Sequence, residues 1–362
     1  MSLAALLDGL PIPIVQAPML GAHDAALAIA VSRAGGLGSF PASGSAPDEI
    51  GPAVEAIRQA TEAPFNVNLF VVPPASPSAE ALDAALARLK PWYEAIGAPL
   101  PDHPNRFAPD SDAQVAALAR AAPPIASFTF GVLTRAQVEA LQAAGTYVVG
   151  TANTVAEARA WAEVGADGIC AQGAEAGGHR GNFLADVEDS LVGTLALTAT
   201  ILAAVDLPVI AAGGIMDGRG VAAALALGAK AAQMGTAFLL ADEATVSAPW
   251  RAAISAAPDD PTRLTRAFSA RYARGLENRF MRLMRPIERQ LPAYPVQNRL
   301  TQPMRAASNA AGDPEMMSLW AGQAVKLAQS GRAGEMVERW WAEAQGAAQA
   351  LAERTAGRAP KP

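Results

Sequence analysis

The chain has 362 residues, of which 51% are hydrophobic and 17% are charged, so it can bury a large core. Its net charge of -6 argues against the broad basic surface of a nucleic-acid binder, and no apolar run reaches the roughly 18 residues that a membrane span needs. The first residues lack the basic and apolar segments of a secretory signal, and one cysteine cannot form an internal disulfide. We therefore expect a cytoplasmic protein without nucleic-acid or membrane partners.

Apolar, strand-like runs alternate with helix-like segments from the start of the chain. The strand-like runs lie at residues 12–19, 35–40, 65–71, 125–131, 147–152, 168–172, 208–215 and 231–239. Helices are predicted between them; the first is capped by Asp24 and runs to about Arg33. This alternation predicts parallel strands joined by helices. Eight such units predict a TIM (β/α)8 barrel, whose functional residues lie in the loops after the strands.

Two stretches do not follow the simple alternation. Residues 72–124 are rich in proline and too long for one connection, with helices expected near 78–96 and 112–121. Residues 241–330 are helix-rich with irregular loops, and a long helix is expected from Glu335 to Arg354. We therefore predict three parts: a barrel domain in residues 1–240, an added helical domain in residues 241–330, and a C-terminal helix in residues 331–362 that closes the barrel.

The sixth strand-like run ends in a loop with four glycines around one histidine, in the segment Gln172–Gly181. Glycine lets the backbone approach a ligand closely, and histidine titrates near neutral pH, so it can bind anions or move protons. His179 is therefore the candidate catalytic residue. His23 and His103 lack such surroundings and are expected at the surface or as caps. Histidines so scattered, without a cysteine pair, predict no metal site.

Glycine-rich segments also end the seventh and eighth strand-like runs. They are Gly213–Gly214 and the sequence Gln233, Met234, Gly235 and Thr236. A barrel brings these two loops together, and their backbone N–H groups commonly hold a phosphate. A glycine pair is also common in plain turns, so the joint position of the two loops is what favours a phosphate site. The chain has neither a Gly-x-Gly-x-x-Gly nor a Walker-type pattern.

Motifs spread over nearly the whole chain resemble one family. They are Gln16–Met19, Asn66–Phe70, Ser127–Gly131, Gln172–Gly181, Ala211–Ile215, Gln233–Phe238, Tyr294–Asn298 and Leu319–Ala324. These segments are similar to those of class I nitronate monooxygenases, once called 2-nitropropane dioxygenases. The resemblance implies an FMN-dependent enzyme with a TIM barrel and an added substrate domain. The implied reaction oxidises an alkyl nitronate, such as propionate 3-nitronate, with O2 to a carbonyl compound and nitrite.

The resemblance also implies roles for individual residues. The residues expected near the isoalloxazine ring of FMN are Met19, Asn68, Gln172 and Gly177. Those expected to hold its phosphate are Gly213, Gly214, Gln233, Met234, Gly235 and Thr236. His179 would be catalytic, either as an imidazolium that stabilises the nitronate or as a neutral imidazole that removes the α-proton of a nitroalkane. Arg271, Arg274 and Tyr294 are expected to contact the substrate, because guanidinium suits a carboxylate.

The chain departs from the family pattern in one motif that matters for the site. The Ser-Gly-Arg of the family is replaced here by Ser269, Ala270 and Arg271. Two alternative functions remain open at this point: an FMN-dependent NAD(P)H oxidoreductase of the quinone reductase or enoyl-acyl-carrier-protein reductase type, and a non-redox phosphate-binding TIM-barrel enzyme. The motifs between Tyr294 and Ala324 favour the nitronate enzymes. The sequence leaves the oligomeric state open.

Overall fold

The computed structural model describes residues 1–356 of the chain, and its main sheet is a barrel of eight parallel strands. In chain order the strands are β1 (Ile14–Gln16), β2 (Gly38–Pro41), β3 (Phe65–Phe70), β4 (Ile125–Thr129), β5 (Tyr147–Ala152), β6 (Gly168–Gln172), β7 (Gly178–His179), β8 (Val209–Ala212), β9 (Ala231–Met234), β10 (Thr262–Thr265) and β11 (Ala273–Leu276). The barrel order is β1-β9-β8-β6-β5-β4-β3-β2. A parallel bridge between Val15 and Leu37 closes it, so the TIM-barrel prediction is confirmed.

Helices follow the strands and cover the barrel. They are α1 (Leu3–Asp8), α2 (Ala25–Arg33), α3 (Pro47–Ala60), α4 (Ala79–Ala95), α5 (Ser111–Ala121), α6 (Arg135–Ala143), α7 (Val155–Glu163), α8 (Thr194–Leu202), α9 (Gly218–Ala226), α10 (Ala248–Ser255), α11 (Arg279–Met284), α12 (Val296–Ala310) and α13 (Ala333–Ala356). The predicted cap at Asp24 is confirmed, because its side chain accepts a hydrogen bond from the backbone N–H of Ala26. No helix within residues 1–356 is long and apolar enough to cross a membrane.

Several of the predicted strands are shorter than their apolar runs, and the eighth run is an example. The run at residues 231–239 is a strand only to Met234, and Thr236–Phe238 then form a 3-10 turn. Phe238 in this turn is fully buried. The sequence therefore stays apolar beyond Met234, although the backbone is no longer a strand. Hydrophobicity alone does not distinguish a buried strand from a buried helical turn. The backbone therefore turns at Gly235, directly at the carboxyl end of the barrel.

The long excursion after β3 and the segment after β10 share one hydrophobic core. Its members include Leu82, Leu86, Leu89 and Tyr93 of α4, and Phe268, Phe280, Met284, Leu300 and Met304. The hydroxyl of Tyr93 donates a hydrogen bond to the carbonyl of Leu300 (2.6 Å). By contrast, Trp250 and Ile254 of α10 pack in the cluster of the barrel. The helical layer is thus built from two segments of the chain, one of which lies before residue 241.

A small antiparallel sheet, which the helix-rich composition did not suggest, joins this layer to the barrel. Its strand order is β10-β11-β7. In its register, Ala273 lies opposite His179 and Arg274 opposite Gly178. The glycine-histidine loop is therefore held by backbone hydrogen bonds to a segment almost 100 residues away in sequence.

The long helix α13 packs on α9. Trp340 of α13 is 1% exposed, and its ring meets that of Phe238 edge to face at 5.0 Å. A Cβ at Gly218 would lie 2.2 Å from the carbonyl oxygen of Trp340, so only glycine lets the two helices approach this closely. The predicted C-terminal helix is confirmed over Ala333–Ala356, and residues 357–362 of that predicted part lie outside the described residues.

Candidate active site

A cavity of about 790 Å³ opens at the carboxyl ends of the barrel strands. Of the residues predicted from the sequence, those that line it are Met19, Asn68, Gln172, Gly177, His179, Gly213, Gly214, Gln233, Gly235, Thr236 and Tyr294. Met234 is not in the lining, because its side chain is fully buried in the barrel core. Met234 therefore cannot contact a ligand through its side chain.

Two arginines predicted to contact the substrate lie elsewhere. Arg274 donates hydrogen bonds to the carbonyl of Ala174 (3.1 Å) and to the hydroxyl of Thr262 (3.5 Å), and it is absent from the cavity lining. Arg271 lies directly behind the lining, with its guanidinium 4.1 Å from the ring centre of Phe130. Arg274 therefore lies away from the cavity where a substrate is expected.

Gln172 shapes the loop after β6. Its Oε1 accepts hydrogen bonds from Gly181 N–H (2.8 Å) and from the side-chain amide of Asn153 (2.9 Å). Its Nε2 donates one hydrogen to the carbonyl of His179 (3.1 Å), which leaves the second hydrogen for a ligand. The side chain thus closes the turn of the loop and can at the same time present a donor to the cavity.

Arg180 is a structural residue of this loop. It is fully buried, and its guanidinium donates to the carbonyls of Gln172 (3.0 Å), Gly173 and Ser190 (3.4 Å). Since carbonyls at the end of a strand need donors when they are buried, Arg180 satisfies them and fixes the position of the loop. It does not face the cavity.

Gly177 is needed for contact with the chain itself. A Cβ at this position would lie 2.5 Å from the backbone nitrogen of Gly322. Gly322 N–H donates to Thr236 Oγ1 (2.9 Å), and Gln323 N–H donates to the carbonyl of Glu175 (3.0 Å). Glycine at position 177 therefore lets the 319–324 segment dock on the loop, and the close approach of Gly177 to the flavin stays a prediction.

His179 lies within a group of aromatic rings at the cavity wall. Its ring centre is 5.6 Å from Phe130, 6.0 Å from Tyr294 and 5.3 Å from Trp320. Its Nε2 is 2.8 Å from the hydroxyl oxygen of Ser269, and that hydroxyl donates its single proton to the carbonyl of Arg271 (3.0 Å). This arrangement assigns the proton of the imidazole to Nε2 and the lone pair to Nδ1.

The charge around His179 is positive. Burial, followed by the charges of Arg271 and Arg305, lowers the pKa of His179 to about 3, so the ring is neutral at pH 7. Burial also lowers the pKa of Arg271 and of Arg305 to about 10, which leaves both as cations. Within residues 1–356, no carboxylate forms an ion pair with either. The site is therefore built to receive an anion.

Arg305, which was missed in the sequence, lines this part of the cavity. It donates to the carbonyl (2.9 Å) and Oδ1 (3.0 Å) of Asn298 and to the hydroxyl of Ser318 (3.2 Å). Its Nε is buried and has no hydrogen-bond partner among the described residues. Asn298 belongs to a motif noted above, and a residue seven positions later lies on the same helix face. That spacing is the signal that could have identified Arg305.

Ala270 keeps the backbone conformation that a glycine would favour at its position. Its φ is 59°, in the left-handed region. Its carbonyl accepts a hydrogen bond from Nε of Arg266 (2.9 Å). The turn between Ser269 and Arg271 therefore persists although alanine replaces the glycine of the family pattern.

Further polar groups lie at the ends of β3 and β8. Asn66 and Asn68 lie on one side of β3, as predicted, since both donate to the hydroxyl of Ser127 (2.9 and 3.0 Å). Oδ1 of Asn68 accepts no hydrogen bond within the described part of the chain. Gly213 and Gly214 have φ of 115° and 71°, which only glycine adopts readily. Within residues 1–356 no group of side chains could hold a metal ion.

Of the other histidines, one was placed wrongly from the sequence. His103 is exposed, as expected, and its Nε2 is 2.9 Å from Oδ1 of Asp83. His23 is only 5% exposed and is neither a surface residue nor a cap. It lies beneath the loop that follows β1 and contacts the backbone of Met19.

A barrel with a large cavity at the carboxyl ends of its strands, lined by glycine loops and a buried histidine, defines the class of TIM-barrel enzymes. The family model described as nitronate monooxygenase matches residues 4–343. The chain therefore belongs to the nitronate monooxygenase family, a family of flavin-dependent oxidoreductases.

Similar proteins agree with this assignment. The nitronate monooxygenase of Pseudomonas aeruginosa is 43% identical over 334 residues, which cover 91% of this chain and 95% of that protein. A probable nitronate monooxygenase of Staphylococcus aureus (strain Newman) is 39% identical over 317 residues, 87% of this chain and 89% of that protein. The chain is therefore similar to these relatives over almost its whole length.

Two solved structures are also similar. Nitroalkane oxidase from Streptomyces ansochromogenes has a TM-score of 0.88 and 42% identity, and the match covers 96% of this chain and 99% of that one. FabK from Thermotoga maritima has a TM-score of 0.75 and 28% identity, with 98% of this chain and 99% of that one covered. Of these two, the nitroalkane oxidase is the more similar by both measures.

Proposed function

We propose that the protein is an FMN-dependent enzyme that oxidises alkyl nitronates, such as propionate 3-nitronate, with O2 to a carbonyl compound and nitrite. The observation that carries this proposal is the pair of cations, Arg271 and Arg305, which act on a neutral His179 and have no carboxylate partner among the described residues. A nitronate is an anion, and buried cations without a partner stabilise an anion much more strongly than cations in water do. The family match favours a nitronate over the substrates of a reductase or an isomerase as the anion that these cations receive.

The cavity lining supports FMN as the cofactor. Its volume of about 790 Å³ lies within the usual range for cofactor sites. Asn68 and Gln172 would hydrogen-bond the ring system, and the backbone of Gly213, Gly214 and Gly235 would hold the phosphate. FMN, when bound, supplies the oxidation of the nitronate and the reaction with O2. The residues of the chain supply binding, orientation and charge.

The lowered pKa of His179 supports one of the two roles that the sequence left open. An imidazolium with a pKa near 3 would not persist at pH 7, so Arg271 and Arg305 provide the positive charge for the nitronate. The lone pair on Nδ1 is then free to accept a hydrogen bond or the α-proton of a neutral nitroalkane. His179 thus acts as a base or acceptor, and the arginines act as the electrostatic partners of the substrate.

Anaerobic mixing tests this function. We expect the absorption of the bound flavin to change rapidly with propionate 3-nitronate, and nitrite to appear once O2 is admitted. NADH and NADPH should leave the flavin unchanged over the same time. Rapid bleaching by either nicotinamide would support the reductase alternative. A colourless protein that takes up no FMN would exclude flavin chemistry altogether.

The location and the partners also belong to this proposal. We propose a cytoplasmic enzyme that binds a small nitronate and O2. Cys170 is buried within the barrel, where burial raises the pKa of its thiol to about 12, so it fits an unreactive thiol in a reducing compartment. Immunodetection in the cytoplasmic fraction of fractionated cells would test the location.

A further inference from the structure

His23 lies beneath a loop that forms one wall of the cavity. Every residue of the loop 17–22 lines the cavity. The loop is tied at its ends, because Ala17 N–H donates to the carbonyl of Met234 (2.8 Å) and Thr245 N–H donates to the carbonyl of Ala22 (2.9 Å). Between these ends, Met19 N–H donates to Nε2 of His23 (3.0 Å). The imidazole is therefore the side chain that supports the middle of the loop.

The hydrogen bonds of His23 define which form of the ring the structure accepts. Nδ1 is 3.0 Å from the carbonyl of Asp24, and because a carbonyl only accepts, Nδ1 carries the proton. Nε2 is 3.0 Å from Met19 N and 3.0 Å from the side-chain nitrogen of Gln16. Oε1 of Gln16 accepts from Ser39 N–H (2.9 Å), which turns the amide hydrogens toward His23. Two donors therefore face Nε2.

A second proton on His23 would break this arrangement. An imidazolium donates from both nitrogens, so its Nε2–H would point at the N–H of Met19 and at the amide of Gln16. Neither group could accept that proton, and the N–H of Met19 would lose its acceptor in a buried place. The amide of Gln16 would keep only the carbonyl of Ala17, which also lies near the ring. The support of the loop thus requires the neutral, Nδ1-protonated ring.

The loop that His23 supports lies next to the glycine loop after β9. A Cβ built on Gly235 would lie 3.6 Å from Sδ of Met19 and 3.4 Å from Cβ of Ala17. The same cavity is lined by Gly213 and Gly214. A displacement of Met19 would therefore change the wall of the cavity where the cofactor is expected.

We propose that His23 is a positioning residue that holds the loop 17–22, and Met19 in particular, against the cofactor cavity, and that it does so only in its neutral form. As a result, the loop loosens and the cofactor is bound more weakly when His23 is protonated. The part of this inference that concerns the cofactor rests on the proposed FMN site. The part that concerns the loop stands on the hydrogen bonds of His23 alone.

The charges around His23 give the direction of its pH dependence. Burial lowers the pKa of His23 below its usual 6.5, and the carbonyl and carboxylate of Asp24 and the carbonyl of Ala17 oppose this effect. Gln16, Ala17 and Met19, which also face the ring, carry no charge. Since the pKa in the folded protein is below that of the unfolded chain, the support is complete near pH 7. It is lost as the pH falls below about 6.5 through the folded pKa.

Two substitutions test separately the loss of the hydrogen-bond acceptor at Nε2 and the uptake of a proton by the ring. His23→Gln retains a neutral acceptor near the position of Nε2, which cannot take up a proton in this pH range. His23→Asn is too short to reach Met19 and removes the acceptor at every pH. His103→Gln is the matched control, because His103 is exposed and is bonded only to Asp83 among the described residues.

The first measurement is amide hydrogen exchange at Met19, corrected for the intrinsic effect of pH. We expect wild-type protection to fall as the pH is lowered from 7.5 through the folded pKa of His23, by about tenfold once the ring is protonated, as for the loss of one buried hydrogen bond. His23→Gln should stay protected over the whole range, and His23→Asn should be unprotected over the whole range. Equal protection at Met19 in wild type and His23→Asn, or equal pH dependence in wild type and His23→Gln, would overturn the role of His23.

The second measurement is the Kd of FMN over the same pH range. We expect the wild-type Kd to rise about tenfold more on acidification than that of His23→Gln. His179 stays neutral over this range, and the phosphate of FMN titrates equally in both proteins, so the difference isolates His23. His103→Gln should behave as wild type.

If no FMN binds, the proposed function and the cofactor part of the inference fail, while hydrogen exchange still decides the part that concerns the loop. If FMN binds with the same pH dependence in both, only the inference on cofactor binding fails.

Discussion

Ser269 Oγ lies 2.8 Å from Nε2 of His179 and donates its hydrogen bond to the carbonyl of Arg271, so one hydroxyl orients the ring and assigns its tautomer. The hydroxyl belongs to the turn between β10 and β11, while the histidine belongs to the loop after β6. The pairing of β11 with β7 brings the two together. The position of this imidazole is therefore fixed by two parts of the fold: the loop that carries His179 and the turn that carries Ser269.

Removing this hydroxyl should reduce turnover more than cofactor binding. Ser269→Ala leaves the Nε2–H of His179 without an acceptor, and we expect kcat with a nitronate to fall about tenfold or more, because general acid–base groups depend on their orientation. Ser269→Thr keeps the hydroxyl and should recover most of the activity. Nitrite release measures kcat, and flavin absorption checks cofactor content. Equal kcat values for the alanine and wild-type proteins would show that the contact has no role in turnover.

The pH profile of the enzyme should lack the ionisation of an ordinary histidine. Because burial and two arginines lower the pKa of His179 to about 3, the ring stays neutral from pH 8 to pH 5. We therefore expect kcat/KM for a preformed nitronate to show no step near pH 6.5. A bell-shaped or sigmoid profile centred there, absent from a His179→Gln variant, would contradict the neutral form.

The same pKa predicts how folding responds to acid. The unfolded chain binds a proton on His179 below about pH 6.5, whereas the folded protein does not until about pH 3. Protonation therefore favours the unfolded state as the pH falls through this interval. Between pH 7 and pH 5 we expect His179→Gln to lose about 2 kcal/mol less free energy of unfolding than wild type. Urea titrations at the two pH values measure this difference.

Arg305 should contribute to binding of the anionic substrate. Arg305→Met keeps the length of the side chain and removes the charge. We expect KM for propionate 3-nitronate to rise about tenfold or more, since hydrogen bonds to charged groups are the stronger ones. A neutral nitroalkane should show a smaller change. Arg289→Met is the control, because Arg289 is 82% exposed and pairs with Glu188. An equal change in KM for both variants would argue against a charge effect.

Gly177 should be intolerant of even one methyl group. In Gly177→Ala the new Cβ would lie 2.5 Å from the nitrogen of Gly322, so backbone must move, and we expect a loss of about 2–3 kcal/mol in the free energy of unfolding. Gly346 lies in α13 with no atom within 4 Å of its Cβ position, and Gly346→Ala should stabilise the helix by up to about 1 kcal/mol. Thermal unfolding compares the two. Equal stability of Gly177→Ala and wild type would contradict the packing argument.

Much of the cavity follows from patterns that are local in sequence. The alternation of apolar runs with capped helices depends on neighbouring residues, so the barrel could be predicted, including the cap at Asp24. The glycines at 213, 214 and 235 end their strands, and in a closed barrel all strand ends meet at one face. The sequence therefore determined where the cavity lies and that His179 belongs to its wall.

Tertiary structure alone decided what surrounds that histidine. The pairing of β7 with β11, the contact of Gly177 with Gly322, and the approach of Arg305 all join residues far apart in the chain. The burial of His23 likewise depends on a loop that folds back over it. Local patterns cannot show such contacts, because the charge and tautomer of a buried ring depend on which distant groups pack against it. The sequence by itself thus determined the barrel and the place of His179 in the cavity wall, while the packing decided the proton and the charged neighbours of that ring.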